Sequence, residues 1–190
     1  CLEAIRLDPS LAQPHAQLGL MAVRDQRLEE ADWFLTRAVE LDASRVDFWE
    51  ALARFYSWIQ QYHLAIPCWE RVLALAPETR VEPLLAYAWA LQEEQRLDEA
   101  EIQIGKALAL QPDSATVHVD LGGLHEERGD LDQAEALFRR AIALQPDYPP
   151  AHARLARLLG GKLPEAHFQA LRTLLDDPEN LVIITADHGG

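Results

Sequence analysis

Residues 115–148 read ATVHVDLGGLHEERGDLDQAEALFRRAIALQPDY. Val117, Leu121, Leu124 and His125 fall at three- and four-residue spacing, so they line one face of a helix. Gly129-Asp130 interrupts that run, and Leu131, Ala134, Leu137, Phe138, Ala141, Ile142 and Leu144 form a second stripe. Pro146 cannot continue a helix and biases Gln145 away from helical angles, so the second stripe ends there. The stretch is a helix, a tight turn and an antiparallel helix. Two short helices cannot bury both apolar stripes on each other, so each pair must stack on the next.

Outward from this unit the pattern recurs. Helical stops stand at Leu7-Asp8-Pro9, Leu41-Asp42-Ala43, Leu75-Ala76-Pro77, Leu110-Gln111-Pro112, Leu144-Gln145-Pro146 and Asp176-Asp177-Pro178, in steps of 34, 34, 35, 34 and 32 residues. Ala31, Ala65, Ala100, Ala134 and Ala166 each lie 12 residues before the end of a stop. A fixed period of this length marks an all-α solenoid of stacked helix pairs. Small residues at Gly19, Ala53, Ala88, Gly122 and Ala156 let neighbouring backbones approach closely. Leu18, Leu52, Tyr87, Leu121, Leu155, Trp69 and Phe138 supply the bulk that fills the gaps.

The sequence resembles the tetratricopeptide repeat family. Its units pair Leu with Gly or Ala in the first helix, then run Ala, aromatic, Ala and Pro, as Ala134, Phe138, Ala141 and Pro146 do. Five units are expected over residues 12–178 (about 12–45, 46–79, 81–114, 115–148 and 149–180). Residues 1–9 read as the end of a truncated preceding unit and 181–190 as a non-repeat tail. Departures are Ala43 for the stop proline, Thr173 for a small alanine, one extra residue near 77–81 and two missing around 160–164.

The resemblance implies a right-handed superhelix and a non-catalytic scaffold that binds a polypeptide in its concave groove. It also implies which first-helix positions face that groove. Here they hold Glu50, Arg54, Ser57 and Trp58, then Glu82, Leu85, Trp89, Gln92 and Glu93, then Asp120, Glu126 and Glu127, then Arg154 and Arg157. The family's carboxylate clamp of Lys and Asn is absent, since Glu50, Arg54, Leu85 and Trp89 stand at its positions. The asparagine ladder of the sugar-transferring relatives is also missing. Gln17, Ala51, Ala86, Asp120 and Arg154 occupy its positions.

Composition narrows the partner. With 17 basic and 31 acidic residues the net charge is −14, a field that repels phosphate backbones and anionic lipid. A protein or peptide is therefore expected, basic or with an apolar anchor, and neither nucleic acid nor membrane. The sequence does not indicate an oligomeric state. Two cysteines on separate units give no disulfide framework, which suits the cytoplasm.

No cofactor is expected. His15, His118 and His152 recur at one repeat position, too far apart to share an ion, and no HExxH, CxxC or Ser–His–Asp pattern occurs. At the tail, Leu181–Thr185 followed by Asp187-His188-Gly189 resembles the metal loop of sulfatases. Asp187 and His188 are thus weak metal candidates. Residues 160–178 resemble the repeats ahead of the catalytic domain in bacterial repeat-containing sulfotransferases. The alternative function is accordingly a docking arm of a larger enzyme.

Overall fold

A computed structural model describes residues 2–76 and 80–160. Its ten helices are α1 (Leu2–Leu7), α2 (Ala12–Arg24), α3 (Leu28–Leu41), α4 (Val46–Trp58), α5 (Tyr62–Leu75), α6 (Val81–Glu93), α7 (Leu97–Leu110), α8 (Ala115–Arg128), α9 (Leu131–Leu144) and α10 (Pro149–Leu158). No strand occurs among the described residues. The fold is all-α and made of successive helix–turn–helix pairs. The chain forms two compact units, residues 1–103 and 104–190, whose boundary falls inside α7 rather than in a linker. Ala166, Thr173, Asp187 and His188 lie outside the described residues.

In the first unit α2 pairs with α3 and α4 with α5, and α6 packs on α5. Ala31, Leu35 and Ala38 of α3, and Ala65, Trp69 and Val72 of α5, are fully buried. In the second unit α8 pairs with α9 and α10 packs on both. Ala134, Phe138 and Ala141 form the core there with Ala151 and Leu155. Burial of these apolar side chains excludes water from one stripe per helix, the dominant favourable term in such folds.

The turns inside each pair share one design. A left-handed residue stands one past the C-cap at Gln26 (φ 57°), Gln60 (φ 59°), Gln95 (φ 59°) and Gly160 (φ 59°), and at the C-cap itself at Gly129 (φ 84°). The next amide reaches back five residues in Arg27→Ala22 (2.8 Å), Gln61→Tyr56 (2.9 Å), Arg96→Leu91 (2.8 Å) and Asp130→His125 (2.8 Å). This closure satisfies carbonyls that the helix end leaves bare.

The corners between pairs end helices by different means. At Asp42-Ala43-Ser44 no proline is present. Asp42 Oδ1 instead accepts from the Ser44 amide at 3.1 Å and the Ser44 hydroxyl at 2.6 Å. Asp8-Pro9-Ser10 has the same Asx turn in addition to its proline, at 2.9 and 2.5 Å. Ala43 is thus no defect, because Asp42 does the stopping.

Candidate functional site

The first helices carry the expected interaction residues, and in three of them, α2, α8 and α10, a recurring histidine ties the start of the helix to its corner. His15 Nδ1 lies 2.8 Å from the Leu11 carbonyl, and His118 Nδ1 lies 2.9 Å from that of Ser114. His152 Nε2 lies 2.7 Å from the Pro146 carbonyl. In α4 the equivalent residue is Trp49, whose Nε1 donates to Ala43 O at 2.9 Å. These histidines are buried corner ties, each turned to its own corner.

In the first unit, Glu50 and Arg54 stand one turn apart on α4. Arg54 donates to Glu50 Oε1 through Nη2 at 2.8 Å, and Arg80, just before α6, donates to Oε2 at 2.5 Å. Burial of Glu50 acts to raise its pKa, but the hydrogen bonds from Arg54 and Arg80 outweigh it and hold the carboxyl below its ordinary value. Glu50 is therefore a bridge between two guanidinium groups, not a bare negative charge.

Trp58 ends α4 and is 52% exposed; Trp89, in α6, is 45% exposed. The Trp89 ring meets Tyr62 edge-on, with centroids 5.2 Å apart. Tyr62 opens α5 four residues after Trp58, so the α4–α5 corner holds aromatic side chains at both ends. Burial, and then the nearby charge of Glu93, raise the Tyr62 pKa. Trp89, Glu93 and Tyr62 thus come together, with Leu85 half-buried and Glu82 exposed on the same helix.

In the second unit the pattern is repeated with other residues. Glu126 of α8 takes Arg157 Nη2 at 2.8 Å and Arg154 Nη1 at 3.8 Å, both from α10. Asp120 is half-buried, and burial pushes its carboxyl up to about 6 against the opposing pull of Arg154. Glu127 is exposed beside this cluster.

Sequence reasoning missed Arg80 and Tyr62. Both lie outside the inward-facing positions that the resemblance supplies, and both act across repeats. Among the described residues no group of three His, Cys, Asp or Glu side chains is disposed to hold a metal ion. No helix among them is long and apolar enough to cross a membrane. Cys68 is buried, and burial pushes its thiol up to about 12, which disfavours the nucleophilic thiolate.

Known proteins can be set beside this geometry. No curated protein matches the chain in sequence. Among solved structures, YrrB, a TPR protein with an unusual peptide-binding site, has a TM-score of 0.67 at 18% identity. The match covers 98% of this chain and 96% of that one. A tetratricopeptide repeat protein from Parabacteroides merdae has a TM-score of 0.80 at 21% identity, over 97% of this chain and 75% of its own. PilF of Pseudomonas aeruginosa has a TM-score of 0.65 at 25% identity, over 96% and 78%.

Two family models described as tetratricopeptide repeat match residues 85–149 and 125–180, together just over half of the chain. With its paired helices, left-handed turns and small-residue contacts, the chain belongs to the tetratricopeptide repeat family.

Proposed function

We propose that the chain is a non-catalytic scaffold that binds a polypeptide segment on the first-helix face of residues 1–103. The observation that carries this reading is the exposure of two indoles, Trp58 and Trp89, on helices whose opposite faces are packed. Large aromatic side chains left half in water are the usual anchors of protein interfaces. Glu93 beside Trp89 and Tyr62 adds a negative charge that favours a basic or neutral segment with an apolar anchor. Arg54 and Arg80 are already tied to Glu50, so they fix the surface and leave spare N–H donors for main-chain carbonyls. The peptide-binding site of YrrB lends support by analogy of fold.

The test is selection of a binding peptide from a displayed library, then calorimetry on the selected peptide. Trp58→Ala and Trp89→Ala are expected to weaken it at least about fivefold, roughly 1 kcal/mol, with helicity unchanged. Equal affinity in both variants rejects this face.

A further inference from the structure

A different surface, on α3, carries an unexplained indole. Trp33 is 58% exposed, yet it is held firmly. Phe34 meets it edge-on with ring centroids 4.9 Å apart, and His15 lies at 5.9 Å. A cleft of about 360 Å³ opens beside it, lined among the described residues by Glu29, Asp32, Trp33, Thr36, Arg37 and Glu40. Three of its polar groups have partners: the Tyr56 hydroxyl donates to Asp32 at 2.7 Å, and Arg37 pairs with Glu40 at 3.0 Å.

The repeats supply an internal control, because what the fold needs at a position recurs from unit to unit. At the place of Trp33 the later units have Pro67, Ile102 and Ala136, and at the place of Glu40 they have Ala74, Ala109 and Ala143. Helix pairing therefore requires neither the indole nor that carboxylate. Elsewhere the chain sets a guanidinium near an indole, Arg71 at 5.7 Å from Trp49 and Arg54 at 5.9 Å from Trp69. Among the described residues no cation lies over Trp33.

We propose that the α3 cleft docks a basic segment of a partner protein, with an arginine or lysine side chain lying over the Trp33 indole. Its charge is directed at the Glu29 and Asp32 carboxylates. Three carboxylates against one already paired guanidinium give the cleft a negative surplus, in a chain of net charge −14. A cation over an indole with carboxylates on its rim is attracted by both the ring quadrupole and the charges. This surface is separate from the face bearing Trp58 and Trp89, so either can fail alone.

Tetra-arginine amide is the probe, titrated into the full chain while the indole N–H signals of its five tryptophans are followed by nuclear magnetic resonance. The Trp33 signal should move saturably. Affinity should drop about tenfold in Trp33→Leu and several-fold in Glu29→Gln, remain partial in Trp33→Phe, and be unchanged in Trp58→Ala. Unchanged affinity in Trp33→Leu and Glu29→Gln overturns the proposal. So does a saturable shift confined to Trp58 and Trp89.

Discussion

Gly122 shows how little room a repeat core leaves. A Cβ built there falls 2.6 Å from Phe138 Cε1 and 2.8 Å from Cδ1, and Phe138 is fully buried with nowhere to retreat. At the equivalent places α4 and α6 carry Ala53 and Ala88, also buried. Gly122→Ala is therefore expected to destabilise by about 1–3 kcal/mol through overpacking. Urea unfolding measures it, and adding Phe138→Leu should restore part of the loss. Asp120 gives a second prediction of this kind. Its pKa is 3.8 ordinarily and about 6 when folded. Stability held with the protonated carboxyl is complete below the ordinary value and is lost as pH rises through about 6. Asp120→Asn removes that loss. It should match the parent near pH 4 and exceed it above pH 6 by roughly 1–3 kcal/mol, in paired denaturation curves at the two pH values.

Whole helices respond to features that no single contact captures. Pro67 lies inside α5, where it deletes an amide that would bond to the His63 carbonyl. Both residues are exposed, so the orphaned carbonyl can turn to water. Pro67→Ala should then stabilise by about 1–3 kcal/mol, read as a raised melting temperature.

Helix existence was legible in the sequence, because apolar spacing and the recurring stops act within a single element. The left-handed turns at Gln26, Gln60 and Gln95 were not, since glutamine has no preference for that conformation. Gly129 and Gly160 have the residue type that such a turn favours, and the sequence pattern singled out Gly129. The candidate face divides in the same way. Glu50 and Arg54 share one helix, so their pairing follows from four-residue spacing. Arg80 on Glu50, Tyr62 on Trp89 and Arg157 on Glu126 depend on how neighbouring helices register, which one-dimensional spacing does not carry.

At the scale of the whole chain, charge is the governing quantity. Seventeen basic and 31 acidic residues leave a surplus of −14. Many arginines are already matched locally, as in Arg27–Glu30, Arg37–Glu40, Arg96–Glu99 and Arg139–Glu135. These exposed pairs contribute little each, at most about 1 kcal/mol, and salt weakens them further. The surplus acts the other way, since like charges spread over a folded chain repel one another and oppose compaction. Raising ionic strength from roughly 0.01 M to roughly 0.3 M shortens the screening length from about 30 Å to below about 10 Å. Repulsion between distant carboxylates is cut far more than attraction within a pair at 3 Å. The melting temperature should therefore rise with sodium chloride over that range, and calorimetric scans at fixed pH measure it. A fall instead would mean that the local arginine–carboxylate pairs, not the acidic excess, dominate the electrostatics of the folded chain.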